Sequence, residues 1–406
     1  MRSLFLVCLL FAIDLYAWQA FQFLYTTQFG FGLDWFAAAY VILSLLCLTF
    51  LLGQSLVRNL PFTRKARAYL SAFFFIAVLV KVLVAALALL DDLRRLIVQL
   101  FAGSGEVVHR SFVFLAVGVA IVLALGSLLI WGMVRNPYRY KVRKIKVPLA
   151  GLSPELHGLK LVHISDIHAG TFLENAPVQK AIELINALEP DLLFFSGDLV
   201  NRKSSEFAPF VDMFARLRST YGAFSVLGNH DYGDYYSWSS QKAKVENLQE
   251  LMNYQAQMGW QLLRNEHRVM EIRGAQLVIA GVENFSASGR FPKYGDLEKA
   301  LRGARDEVPT ILISHDPSHW LYEVVPKFKQ VGLTLSGHTH GFQFGIEISG
   351  LIKWSPVKYV YKQWAGLYQE KDQYLYVNRG LGMLGYPGRV GILPEITFIE
   401  LESQKR

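Results

Sequence analysis

Residues 159–168 read LKLVHISDIH, and residues 332–340 read GLTLSGHTH. Each is a short apolar run that stops on two polar residues spaced two apart, Asp166 and His168 in one case, His338 and His340 in the other. The pattern recurs in DLLFFSGD at 191–198, AFSVLGNHD at 223–231 and PTILISH at 309–315. Apolar runs of this length, bounded by turn residues, predict strands. Leu192–Phe195 and Ile311–Ile313 are apolar throughout, which suits strands covered on both faces. In α/β sheets ligands bind beyond the carboxyl ends of the strands. Asp166, His168, Asp198, Asn229, His230, Asp231, His315, His338 and His340 all fall there.

The spacing carries chemistry. Residues two apart on extended chain project to the same side, so Asp166 pairs with His168 and His338 with His340. Gly197, Gly228 and Gly337 allow sharp turns beside such a cluster. Buried polar groups without partners are costly, and a bound metal ion is a partner that carboxylates, imidazoles and an amide can share. A set of His, Asp and Asn without Cys suits Mn, Fe or Zn.

Working outward, strands are predicted at 159–165, 191–197, 223–228, 276–282, 309–314, 332–337, 373–378 and 394–401, and helices at 176–189, 206–219, 241–258 and 296–303. Asn175 followed by Pro177 marks a helix start. The alternation of elements predicts a layered α/β domain over 159–406. Residues 135–158 read as a basic linker.

The first 134 residues differ in kind. The whole chain is 52% hydrophobic and 18% charged, and the excess lies in four apolar runs at 3–25, 35–57, 69–90 and 112–134. Each approaches the roughly 20 residues of a membrane-spanning helix. Lys and Arg sort to one side: Arg2, then Arg58, Arg64, Lys65 and Arg67, then Arg135 to Lys146. The other side has only Arg94, Arg95 and Arg110. Both termini and the α/β domain are therefore expected in the cytoplasm. The basic run after 135 accounts for much of the +8 net charge through anionic lipid, so membrane lipids and not nucleic acid are the expected partners. Cys8 and Cys47 both lie in apolar runs, which excludes a disulfide framework or thiolate metal site in the α/β half. At a rise of about 1.5 Å per residue, Asp14 and Lys81 fall at matching depth, and an ion pair between them is expected because intramembrane charges usually pair.

The ordered set Asp-x-His, Gly-Asp, Gly-Asn-His-Asp, His and Gly-His-x-His resembles the calcineurin-like metallophosphoesterase superfamily. The stretch with Asn378-Arg379-Gly380-Leu381-Gly382 and Pro394-Glu395-Ile396 is similar to its small bacterial membrane-associated branch. The resemblance implies a two-sheet β-sandwich flanked by helices, holding two divalent metal ions. Asp166, His168 and His340 would hold the first and Asn229, His315 and His338 the second, with Asp198 bridging. A hydroxide between the metals would attack phosphorus while His230 faces the substrate. Arg379 is expected to contact phosphate or to close an ordinary ion pair.

Where protein-phosphatase members carry an Asp that orients the catalytic His, this chain has Asn201. Either Asp231 takes over, or general-acid help is weak and a good leaving group such as a diphosphate is favoured. Tyr232, Tyr235, Tyr236 and Trp238 precede a polar helix that reads as a lid, with the aromatics facing either substrate or core. Lys353, Trp354, Lys358, Tyr359, Tyr361, Lys362 and Trp364 interleave charge and aromatics in a manner suited to a membrane interface. The expected activity is hydrolysis of a phosphate ester or diphosphate, with a lipid-linked diphosphate as the specific version. A tethered phosphoprotein or nucleotide phosphatase is the alternative, and a silent scaffold the remote one.

Overall fold

The structure, a computed structural model, describes residues 2–30, 34–52, 63–101, 107–287, 289–348 and 350–404. The chain divides into two compact units, residues 1–134 and 135–406.

In the first unit the apolar runs form helices α1 (Arg2–Phe29), α2 (Asp34–Leu52), α3 (Arg64–Phe101) and α4 (Phe112–Arg135). Segments of α1, α3 and α4 are long and apolar enough to cross a membrane, while the apolar part of α2 is shorter. The end of the second predicted run and Arg58 lie outside the described residues. Residues 91–101, expected in a loop, instead continue α3. Asp91 pairs with Arg94 at 2.8 Å and Asp92 with Arg95 at 2.9 Å, opposite charges three apart that suit a helix. Ala17, Ala20, Val84, Ala85, Ala88, Val119 and Val122 form the packed seam, small side chains that let backbones approach. The expected ion pair is present: Lys81 Nζ lies 2.6 Å from Asp14 Oδ1. Ser44 Oγ donates to Asp14 Oδ1 at 3.0 Å, Tyr40 OH donates to Asp14 O at 2.8 Å, and the Tyr40 ring lies beneath the Lys81 ammonium at 4.5 Å.

The second unit is a mixed α/β domain. Its elements in chain order are β1 (Lys141–Leu149), β2 (Lys160–Ile164), α5 (Asn175–Asn186), β3 (Leu192–Phe195), β4 (Ala223–Ser225), α6 (Gln241–Gln257), β5 (Trp260–Leu262), β6 (Glu266–Ile272), β7 (Ala275–Gly281), β8 (Thr310–Ile313), β9 (Val331–Ser336), β10 (Ile346–Ile348), β11 (Ile352–Trp354), β12 (Gly366–Glu370), β13 (Gln373–Val377) and β14 (Glu395–Ser403). One sheet runs β1-β14-β2-β3-β4-β5, another runs β12-β13-β9-β8-β7-β6, and β10 pairs with β11 alone. Strands β2, β3 and β4 are mutually parallel, as are β7, β8, β9 and β13.

Inward residues of both sheets form one apolar cluster, including Leu161, Leu192 and Phe194 from the first and Ile279, Ile311 and Leu333 from the second. The first sheet's outer face is covered by Val178, Ala181, Ile182 and Ile185 of α5 and by Leu251 of α6. The second sheet's is covered by Leu297, Trp320 and Val324. Layering of this kind leaves the carboxyl ends of the parallel strands as the place where loops converge.

Two expectations need correction. The 135–158 stretch is not simply a linker, because Lys141–Leu149 pairs in parallel with β14 over its whole length. Val147 and Leu149 point into the core while Lys141, Lys144 and Lys146 stay outside. The helix expected at 206–219 is instead a series of short turns ending in Val211–Phe214. Pro209 removes a backbone donor, and Phe207 packs on Phe214 at 5.4 Å to hold the turns without a longer helix.

Candidate metal centre

The loop after β2 carries Asp166 and His168, that after β3 Asp198, and that after β4 Asn229, His230 and Asp231. In the second sheet the loop after β8 carries His315, and that after β9 carries His338 and His340. Backbone bonds lock these loops together, including Asp166 N to Gly197 O at 2.9 Å and Gly337 N to His315 O at 3.0 Å. Gly337 allows a close approach: a Cβ there would stand 1.9 Å from Ser165 Oγ and 2.2 Å from Asp166 Oδ2.

Two groups of ligand atoms result, each gathered within 4.8 Å: Asp166, His168 and His340, and Asp166, Asp198 and His315. His340 Nε2 lies 3.2 Å and His168 Nε2 3.9 Å from Asp166 Oδ1. Asp198 Oδ2 stands between the groups, 3.5 Å from His168 Nε2 and 3.2 Å from His315 Nε2. Asn229 donates its amide to Tyr235 OH at 2.9 Å, which leaves its Oδ1 2.9 Å from His338 Nδ1. His338 Nδ1 is in turn 3.2 Å from His315 Nε2. All seven expected ligands therefore converge.

The residues fit divalent metal. Both ring nitrogens of His168 and of His340 are buried without a hydrogen-bond partner, a cost that structures seldom leave uncompensated. His315 Nδ1 donates to Ser196 O at 2.7 Å, which turns Nε2 toward Asp198. Burial would lower the His315 pKa, but Asp198 and Asp166 push it up to about 10. The carboxylates thus call for positive charge at that point, which a proton or a metal ion supplies. Burial opposes ionisation of Asp198 too, yet His315, His230 and His168 hold its pKa well below the usual carboxylate value. Asp166, His168, Asp198, His338 and His340 all adopt left-handed backbone, φ 43° to 70°, a conformation that costs energy in non-glycine residues and clusters at functional sites.

Two expected roles are not borne out by the geometry. Asp231 accepts backbone N–H bonds from Asp198 at 2.9 Å, Leu199 at 2.8 Å and Gly228 at 2.9 Å, so its carboxylate braces the ligand loops and does not reach His230. Arg379 takes the other role expected of it, an ion pair, though a buried one: it is spent on Glu395 and Glu347, which leaves no fork for phosphate. His230 is oriented by neither Asp231 nor the Asn201 amide. Its Nδ1 lies 2.7 Å from the Asn201 backbone oxygen, leaving Nε2 as the free edge of the ring.

Three site residues were not expected in these places. Tyr235 packs against His230 with ring centroids 4.3 Å apart. Tyr361 OH meets His338 Nε2 at 2.8 Å and Asp316 Oδ2 at 3.4 Å. Asp316, adjacent to His315 in sequence, had a positional signal. Of the other aromatics in that loop, Tyr232 packs inward on Tyr294 at 4.6 Å, Trp238 donates to Gly233 O at 2.7 Å, and Tyr236 stays exposed.

Comparison with known proteins agrees with the geometry. Residues 159–342 match the model of the calcineurin-like phosphoesterase family, and residues 1–137 match a model described as the transmembrane domain of a probable calcineurin-like phosphoesterase. The chain is 30% identical over 292 residues, 70% of its length, to a transmembrane protein with metallophosphoesterase domain from Danio rerio. It is 31% identical over 272 residues, 64% of its length, to the protein of the same description from Bos taurus. It spans 62% and 57% of those two relatives. It is 30% identical over 249 residues, 61% of its length, to the Bacillus subtilis metallophosphoesterase YkuE, of which it covers 80%.

Proposed function

Because the chain belongs to the calcineurin-like phosphoesterase family, we propose that it is a membrane-anchored phosphoesterase that uses two divalent metal ions to hydrolyse a phosphate ester or diphosphate. The observation that carries this reading is the pair of ligand groups joined through Asp166 and Asp198, with the ring nitrogens of His168 and His340 otherwise unpartnered. Asp166, His168 and His340 would hold one ion, and Asn229, His315 and His338 the other, with Asp198 between them. Metal ions bound there supply an acidified water and a clamp on phosphoryl oxygens.

The chain's own residues do the rest. His230 presents Nε2 to the substrate, fixed from behind by the Asn201 carbonyl. A backbone carbonyl orients an imidazole but does not stabilise its cation as a carboxylate would. General-acid help is therefore modest, and the site favours a leaving group that departs without a proton. A diphosphate fits that demand, and apolar helices fit a substrate held in a bilayer, so the preferred substrate is a lipid-linked diphosphate. The four apolar runs are read as four crossings, with the catalytic domain, a two-sheet β-sandwich, in the cytoplasm. The excess of Lys and Arg at the ends carrying Arg64, Lys65, Arg67 and Arg135 to Lys146, against Arg94, Arg95 and Arg110 at the other, supports that orientation.

The test uses the purified full chain in detergent with added Mn. Bis-p-nitrophenyl phosphate and a lipid-linked nucleotide diphosphate are offered side by side, with Asn229→Ala as the blank. Cleavage of both, with preference for the lipid and loss in the variant, is the expected result. Cleavage of the diester alone would overturn the lipid assignment, and cleavage of neither would overturn the phosphoesterase reading.

A further inference from the structure

Strands β10 and β11 form a two-stranded hairpin outside both main sheets. Its register pairs Ile346 with Trp354, Glu347 with Lys353 and Ile348 with Ile352. Alternation along each strand therefore puts Ile346, Ile348 and Ile352 on one face and Glu347 on the other. The Glu347 face is tied down by Arg143 of β1 and by Arg379. The isoleucine face is open: each of the three is 49% exposed, and Leu351 at the turn is 80% exposed. The chain then passes through Tyr359 and Val360, 75% and 65% exposed, flanked by exposed Lys358 and Lys362.

A pinned hairpin with a bare aliphatic face is not explained by the core. Contiguous exposed apolar surface marks an interaction site. Aliphatic residues at the tip, an aromatic beside them and lysines around them match what a bilayer surface selects. The aliphatic side chains enter the acyl boundary, and the ammonium groups meet anionic headgroups. The same chain carries helices apolar enough to span a membrane, so a bilayer is within reach of the domain by covalent tether.

We infer that strands β10 and β11, with Leu351 between them, and the 358–362 turn dock on an anionic lipid bilayer and open the metal centre toward it. The link to the centre is direct. Tyr359 and Val360 face outward, and the next residue, Tyr361, places its hydroxyl 2.8 Å from His338 Nε2. Docking and ligand position thus share three consecutive residues. The docking itself stands without the phosphoesterase reading, whereas its use in selecting lipid substrates rests on it.

The experiment places a polarity-sensitive NBD label at Leu351→Cys in full-length protein carrying Cys8→Ser and Cys47→Ser, reconstituted in liposomes. A matched label at Glu246→Cys, on the exposed face of α6, is the reference. The label at 351 should shift to the blue and be quenched by lipids brominated in the upper acyl chain, while the label at 246 should not. Adding phosphatidylglycerol to phosphatidylcholine should enlarge the shift, and Lys358→Gln with Lys362→Gln should cancel that enlargement. Equal, water-like emission at both positions would overturn the inference, as would burial of position 351 against a second copy detected by cross-linking. Independently, Ile348→Ser with Leu351→Ser and Ile352→Ser should lower turnover of the bilayer-held lipid diphosphate by about tenfold and leave bis-p-nitrophenyl phosphate unaffected. Unchanged turnover of both would count against docking and leave the metal centre standing.

Discussion

Among the described residues, a polar cluster between the apolar helices and another between the sheets differ in how their atoms are spent. Around Asp14 the polar groups answer one another: Lys81, Ser44 and Tyr40 close on the carboxylate, and Lys81 on Ser44. Around Asp166 and Asp198 the carboxylates face, among other rings, the imidazoles of His168 and His340, whose nitrogens make no hydrogen bond, on backbone held in left-handed conformations. A cluster that satisfies itself holds a structure together. One that leaves buried donors and acceptors unmatched, and adds backbone strain, is arranged around something it binds.

The comparison is broken most directly at Asp198. Asp198→Ala should abolish turnover of bis-p-nitrophenyl phosphate by at least about 10³-fold, some 4 kcal/mol of transition-state stabilisation, and should lower the bound metal measured by elemental analysis. Retained metal and activity would make this cluster no more than a structural one.

Next in size is Asp14→Ala, which strands the Lys81 charge and should destabilise the helices by about 3 kcal/mol, read by SDS titration followed by circular dichroism. A second substitution, Lys81→Met, should recover most of that loss, and neither change should alter diester turnover. If Asp14→Ala silenced the enzyme while the helices stayed intact, the helical cluster would no longer be purely structural.

A smaller effect sharpens the contrast within the domain. Burial drives the His163 pKa down to about 4 from an ordinary 6.5, and its Nε2 lies 2.9 Å from Ser196 Oγ. Below pH 6.5 the unfolded chain binds a proton here that the folded chain refuses, so stability present above pH 6.5 is lost as pH falls toward 4. Between pH 6.5 and 5 the loss should be about 2 kcal/mol, and His163→Gln should flatten that part of the stability profile measured by thermal unfolding.

The smallest expected change is at Asn201. Since His230 is held by the backbone carbonyl there, Asn201→Ala should leave turnover within about threefold, roughly 0.7 kcal/mol. A much larger fall would mean that the side chain orients His230 after all.

The candidate ligand residues and the strands that bring them together were legible in sequence because both obey local rules. A strand's apolar run is contiguous, and a metal accepts few residue types. Roles set by distant partners were not legible. Nothing near Asp231 in sequence announces that its carboxylate would collect amides from residues 198 and 199. Nothing near Arg379 announces Glu347. The β1 strand did leave a signal, since Ile145, Val147 and Leu149 alternate with basic or proline positions, but the density of lysine masked the period-two pattern. Residues 206–219 went the other way, because their apolar spacing suits a helix while Pro209 breaks one.

That first strand has a mechanical consequence. β1 is the stretch by which the chain enters the second unit, and it pairs in parallel with β14 from Lys141↔Glu395 to Leu149↔Ser403. A pull on residue 141 along the strand axis slides β1 past β14, so its ladder bonds resist together instead of opening one after another like a zipper. Tension drawn along that axis through the preceding apolar helices would therefore meet a shear joint, the geometry in which a small number of hydrogen bonds withstands the greatest force.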